Sequence, residues 1–493
     1  MATLRTHRVL AGLFALGSLS VGLSSAQQAP SLTDSYRPIT DRILAAAQTD
    51  TAGYARLEYL CDHIGKRISG SEPLTRATSW AADAMRQAGL ENVTMQPAMV
   101  PRWIRGAESG AIVAPVSKPL HMLGLGMSVG TPPGGITAEV VVVPDFAALD
   151  QLGRAGAAGK IVVFNAPYKG YGQTVMYRVA GPSRAAALGA AAVLVRSITP
   201  LAMQTPHTGT LVYDKKQPAV PKIPAAAISI EDALMLERLA GQGPTRVHLD
   251  MAAHQEADAP SFNIYGDLPG SEHPEQIVDV GGHIDSWDVG QGAQDDGSGI
   301  TAALEAVALL KKLGLHPKRT IRVVFWVNEE NGGAGGLAYL AGLGKTVSNH
   351  VAAIEMDGGA EQPTGYGYGS RGGERRATPS GPAPAPQLTV NEQQSLALLQ
   401  QIGTLLTPVG AGTIKAGGGG SDIEPLMAAG VPGLGEMTTM AHYFDWHHTE
   451  ADTLDKVDPE MFRKNVASLA IMTYILADMP GRLAGHPGAE DEL

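Results

Sequence analysis

Residues 281–299, GGHIDSWDVGQGAQDDGSG, hold one histidine, four aspartates and six glycines in nineteen positions, with no lysine or arginine among them. Carboxylates crowded this closely repel one another and take up protons unless a cation of higher charge lies between them. The stretch therefore asks for metal ligands elsewhere in the chain. Three short runs supply them: WVNEE brings Glu329 and Glu330, IEMDGG brings Asp357, and DWHHTEADTL brings His447 and His448. Taken singly, each is weak, because an H-x-D arises by chance, a glutamate pair usually belongs to a solvated face and a histidine pair to a surface loop.

Their positions relative to the surrounding elements give them weight. From residue 276 the chain alternates apolar strand runs with amphipathic helical ones: QIVDVGGH, GITAALEAVALLKKLG, TIRVVFWVNEE, a helical run near GGLAYLAGLG, and VAAIEMDGG. This alternation predicts an α/β fold with a mixed, mostly parallel sheet and helices on both faces. Ligands of such sheets bind beyond the carboxyl ends of the strands. One edge would then gather His283, Asp285, Glu329, Glu330 and Asp357, with Asp295 delivered by the glycine-rich turn before the next helix.

The charge count favours two ions over one. Two dications carry +4; His283 and His448 bind neutral, Asp295, Glu330 and Asp357 bring −3, and one hydroxide completes neutrality. Two metals about 3.5 to 4 Å apart need a bridging ligand, a role open to a carboxylate such as Asp295. Neighbours on a strand end point to opposite sides, so one of Glu329 and Glu330 is expected to bind metal while the other faces the water and serves as general base. Asp285, two residues after His283, is expected to accept that imidazole's other N–H and fix its tautomer. Two roles are open to His447: a hydrogen bond to a developing oxyanion, or packing. The donor set suits zinc, and cobalt or manganese fit it too.

The bulk properties set the limits. At 493 residues, 44% hydrophobic and 17% charged, the chain is long enough for two or three domains of roughly 100 to 200 residues each. Arg5 and Arg8, the apolar run Val9 to Leu23 and the small residues Ser24 and Ala26 form a secretory signal peptide over residues 1–26, and no later run is long and apolar enough to span a membrane. Its removal leaves 35 basic against 48 acidic residues, a formal charge of −13, which argues against a nucleic-acid partner. The single cysteine, Cys61, excludes an internal disulfide and reads as a small buried hydrophobe. A soluble periplasmic or secreted protein acting on a peptide is the expectation, and a homodimer is compatible with it.

Along the chain, residues 27–50 read as a lead-in and residues 27–113 as the first part of a catalytic domain. Between 114 and 252 short strands such as EVVVV and KIVVF, an alanine-rich helix near SRAAALGAAAVLV and many Pro and Gly turns mark an inserted domain without chemistry of its own. The catalytic domain resumes over 253–480, and 481–493 form a flexible tail. Two motifs are set aside. GLGKT, 342–346, lacks the first glycine of a phosphate loop, and GMSVG, 126–130, is followed by TPPGG, which cannot open a helix.

With these residues in order, the chain resembles the co-catalytic zinc exopeptidases of clan MH, carboxypeptidases and leucyl aminopeptidases among them. GGHIDSWDVGQGAQDDGSG, WVNEENGGAGG, EMDGG, GGGGSDIEPLMAAGVPG, WHHTEADTLDKVDP and the early HIGKRISGS all follow the pattern. The resemblance implies His283, Asp295 and Asp357 on one zinc, Asp295, Glu330 and His448 on the other, and Glu329 as the base. It also implies a protease-associated domain in the insert and a cis peptide between Asp295 and Asp296. A metal-free receptor of the same fold, or a single-zinc glutaminyl cyclase, stays open beside the exopeptidase. Arg371, Arg375 and Arg376, in the long loop after Asp357, are candidates to hold a substrate carboxylate.

Overall fold

The computed structural model describes residues 1–3, 31–369 and 388–485. The expected signal peptide from residue 4 onward, the loop with Arg371, Arg375 and Arg376, and the tail beyond 485 lie outside the described residues. Among those described, no helix is long and apolar enough to cross a membrane.

Eight strands form the main sheet, in the order Glu91–Val100, Ala259–Leu268, Arg319–Trp326, His273–His283, His350–Glu355, Gly433–Thr438, Pro363–Tyr368 and Thr413–Ala416. The middle four, from Arg319–Trp326 to Gly433–Thr438, run parallel, and antiparallel pairings flank them on both sides. Side chains alternate between two cores, as a pleated strand requires. Ile321, Val323 and Phe325 pack with the helices Ser298–Lys312 and Pro459–Asp478, whereas Val324 and Trp326 pack on the opposite face with Tyr339 of the helix Ala334–Leu343. Strand order reverses about His273–His283: the chain steps to Arg319–Trp326 on one side and then crosses back to His350–Glu355 on the other. A crevice opens at such a reversal, and the carboxyl ends that border it carry His283, the glutamate pair and Asp357.

Residues 32–48 are a 17-residue helix, not a lead-in. Ser31 caps it by accepting the Asp34 N–H, and Tyr36, Thr40, Ile43 and Ala47 form its buried stripe. That stripe packs on the final helix, which outweighs the cost of Pro38 within the helix. The helix Glu72–Gln87 begins where SGSEP suggests, with Ser71 accepting the Leu74 N–H at 3.2 Å.

A second eight-stranded sheet spans Glu108 to Met251 and has a separate core on each face. It starts ahead of residue 114 because Glu108–Ala114 pairs with Arg246–Met251, closing the unit strand to strand. The alanine-rich run is split: a helix over Gly181–Ala187 gives way, through Gly189 at φ +82°, to the strand Ala192–Arg196. Where the chain leaves and rejoins the main unit, Trp103–Ile104 and His254–Gln255 pair antiparallel as a two-stranded neck.

The set-aside motifs are structural. Ser128 is buried and its Oγ accepts the Ala225 N–H at 2.9 Å, and GLGKT spans the junction of the helix Ala334–Leu343 with a 3-10 turn. Cys61 is buried, which pushes its thiol up to about 12.

Candidate metal centre

Between His283, the last residue of its strand, and Asp295, the glycine-rich segment is shaped by two residues that the sequence patterns do not single out. Arg67 is wholly buried. Its Nε donates to the Ile284 carbonyl at 2.6 Å, Nη1 to those of Gln291 and Gly65 at 2.7 and 3.2 Å, and Nη2 to that of Gly292 at 3.0 Å. Asp452 accepts the backbone N–H groups of Gln294 and Asp295 at 2.7 and 3.2 Å. The Asp295–Asp296 peptide is cis. Asp296 points away from the role of its neighbour: one oxygen accepts the Gly299 N–H at 3.1 Å and the other that of His283 at 3.2 Å.

Asp295 lies at the centre of the cluster. His283 Nε2 is 3.2 Å from its Oδ1 and 3.4 Å from Asp357 Oδ1. On the other side, His448 Nε2 is 3.3 Å from Asp295 Oδ2 and 3.1 Å from Glu330 Oε2. The structure thus brings together His283, Asp295, Glu330, Asp357 and His448. The donor atoms also form groups within 4.8 Å that include Asp296 and His447. Asp296 is committed to backbone, while His447 stacks on His448 with ring centroids 3.6 Å apart and sits 3.5 Å from Asp295 Oδ2. His283 Nε2, Asp295 Oδ2 and Glu330 Oε1 are buried without a hydrogen-bond partner. Orphaned donors and acceptors of this kind are costly, and one imidazole nitrogen with two carboxylate oxygens is a set that a zinc ion satisfies.

Two expectations change. Glu329 and Glu330 lie in a turn beyond the end of Arg319–Trp326, after Asn328 at φ +70°, and both face one cavity instead of opposite sides of a strand. Asp285 fixes the His283 tautomer through its backbone carbonyl, 3.0 Å from Nδ1, and not through its carboxylate. The carboxylate instead holds the turn: Oδ1 accepts the Glu329 N–H at 3.1 Å and Oδ2 the Ser69 hydroxyl at 3.1 Å.

The electrostatics follow from the crowding. Burial pushes Glu330 up to about 7 and Glu355, beside Asp357, up to about 8. It drives Glu329 well above the carboxylate range, with Asp357 and Glu330 adding to the rise against the pull of His283. Burial raises Asp295 as well, yet the imidazoles of His283 and His448 outweigh it and hold this carboxyl well below the usual range. His448 is pulled down by burial but lifted to about 9 by Glu330 and Asp295, whereas burial and the charge of His448 press His447 well down. Acids that hold protons and imidazoles that hold charge mark a pocket short of positive charge, which cations supply.

The cluster forms the floor of a cavity of about 260 Å³. Met440, Tyr443 and Phe444 line it, Ser421 borders it at the end of the Gly417–Gly420 run, and Tyr171 and Arg178 reach in from the short helices Tyr171–Thr174 and Met176–Val179 of the second unit. The run must be glycine where it passes the cluster, since a Cβ at Gly420 would collide with the Glu355 carboxyl. Arg178 is buried; its Nη2 donates to the Tyr171 hydroxyl at 2.8 Å and its Nη1 to the Thr208 carbonyl at 3.1 Å, while Nε has no partner. Sequence reasoning missed this residue, because nothing within GQTVMYRVAG distinguishes it from a solvated helix arginine.

A sequence profile described as Peptidase family M28 matches residues 263–473. Carboxypeptidase Q of Mus musculus is 41% identical over 429 residues, covering 86% of each chain, and that of Homo sapiens is 40% identical over 86% of this chain and 85% of its own. The chain belongs to peptidase family M28 and is a zinc metallopeptidase, an exopeptidase. Among solved structures, a peptidase M28 precursor from Shewanella amazonensis superposes with a TM-score of 0.83 at 30% identity, over 92% of this chain and 99% of that one. A zinc aminopeptidase from Bacillus subtilis shares the fold, with a TM-score of 0.63 at 20% identity over 88% and 96% of the two chains.

Proposed function

We propose that the protein is an exported two-zinc exopeptidase that splits dipeptides and other short peptides with a free carboxyl terminus. His283, Asp295 and Asp357 hold one ion, and Asp295, Glu330 and His448 the other. Bound there, zinc would supply Lewis acidity for the scissile carbonyl and would make the attacking water more acidic. Glu329 takes the proton of that water and delivers it to the leaving amine. Asp285, holding the Glu329 backbone, keeps the base aimed at the floor. His447, pressed toward its neutral form beside His448, donates a hydrogen bond to the oxygen of the tetrahedral species. The unit from Glu108 to Met251 is a protease-associated domain that caps the cleft, and the signal peptide over 1–26 sends the chain to the periplasm or outside the cell.

The observation that carries the choice of terminus is Arg178. It is the one arginine or lysine among the described residues that line the cavity, and its Nε is unpartnered. A free carboxylate needs such a guanidinium. A free amine needs a spare acid, and every acid on the floor, Asp295, Glu329, Glu330 and Asp357, already has a task. The name carboxypeptidase Q borne by the mammalian relatives agrees with this choice. The test compares a free dipeptide with its amidated and its N-acetylated forms, with zinc content measured in parallel. Loss of turnover on amidation alone is expected; equal turnover of the amide overturns carboxylate recognition. A content of one zinc per chain overturns the two-ion centre.

A further inference from the structure

A strap of the second unit, residues 207–210, lies against the metal cluster, and among the described residues its hydrogen bonds to the cluster go to His448 and Glu330. The Thr208 carbonyl lies 3.3 Å from His448 Nδ1, and the Thr208 N–H donates to the His448 carbonyl at 3.0 Å. Two residues on, the Thr210 hydroxyl donates to the Glu330 carbonyl at 2.7 Å. His448 and Glu330 are the pair that meet at 3.1 Å. On the opposite side, His283 takes its support from the Asp285 carbonyl, within the main unit.

The strap is itself held from behind. Thr208 Oγ1 donates to the Gly124 carbonyl at 2.8 Å, the Gly126 N–H to the Gly209 carbonyl at 3.0 Å, and the His207 N–H to Ser197 Oγ at 3.0 Å. Gly209, at φ +129°, is required there, since a Cβ would strike the Arg178 guanidinium. Arg178 shares the Thr208 carbonyl with His448.

From these contacts we infer that the second sheet positions one half of the metal centre: Thr208 and Thr210 orient His448 and Glu330, so that the affinity of their ion depends on the docked strap while that of the His283–Asp357 ion does not. The inference rests on the two-ion reading. An imidazole whose Nδ1–H is held by a carbonyl presents Nε2 to the metal, and losing such support costs about 10- to 100-fold in metal affinity. Thr210 acts through the Glu330 backbone and is a positioning residue. The experiment titrates apo-protein with Co²⁺ by electronic absorption, and with Zn²⁺ against a competing chelator, for wild type, Thr210→Val, Thr210→Ala and Thr210→Ser, with circular dichroism to check folding. Two binding steps in the wild type are expected, with one weakened about tenfold in the Val and Ala variants and restored in the Ser variant, and the other unchanged throughout. Two steps that weaken together, or not at all, overturn the inference and leave the two-ion reading standing. A single step in the wild type overturns both.

Discussion

At the scale of single residues, the proposed reaction gives metal binding and proton transfer to different side chains. Glu329 lines the cavity with its backbone held by Asp285. Glu329→Gln should therefore keep both zinc ions by mass spectrometry or atomic emission while kcat falls about 10²- to 10⁴-fold; unchanged turnover removes the residue from the mechanism. Arg178→Gln should raise KM for free dipeptides about 10- to 100-fold, the value of a hydrogen bond to a charged partner, and leave hydrolysis of the amidated substrate unchanged. The cluster of His283, Asp295, Glu330, Asp357 and His448 was legible because rare combinations of histidine and acid stand at or just beyond strand ends. Arg67 and Asp452 were not, since they act on backbone groups brought near only by folding, and Arg178 needed a neighbouring unit to become part of the wall.

At the scale of elements, the strand Gly433–Thr438 carries a buried acid remote from the cavity wall. Glu436 faces Tyr366, whose hydroxyl is 3.4 Å from Oε1 and 2.9 Å from Ser468 Oγ of the final helix. Burial pushes this carboxyl from 4.5 up to about 8. A group that holds its proton more tightly when folded stabilises the fold fully below its unfolded value, and that contribution is lost as pH rises through the folded one. Wild-type stability should thus fall between pH 5 and 9 relative to Glu436→Gln, by on the order of a few kcal/mol, as read from urea midpoints across that range. Parallel midpoints for the two proteins would contradict the assignment. Periodicity exposed the central strands and most helices, since alternating apolar runs such as TIRVVFW leave little choice. It misplaced Glu329 and Glu330, because the strand ends at Trp326 and the turn after Asn328 brings both side chains to one side.

For the whole molecule, the two sheet units meet over the acid–histidine cluster, and zinc ions held there as proposed would tie together segments distant in sequence: His283, Asp295, Glu330, Asp357 and His448. Removing them by chelation should lower the apparent melting temperature, and added zinc or cobalt should restore it. Ligand present at 100 to 1,000 times its dissociation constant contributes about 2.7 to 4.1 kcal/mol to the folded state. A melting curve insensitive to chelator would speak against ions as part of the folded architecture. The division into a main and an inserted unit was legible from the change of texture near residue 114. The strand Glu108–Ala114 was hidden, because it finds its partner only at Arg246–Met251.

The neck has an architectural consequence. Because both crossings of the chain are joined rung to rung at Trp103–Ile104 and His254–Gln255, the two links to the second unit lie side by side and are paired apart from the ladder of the large sheet. On the inference above, a second unit that lacked a counterpart of residues 207–210 would leave His448 and Glu330 unbraced.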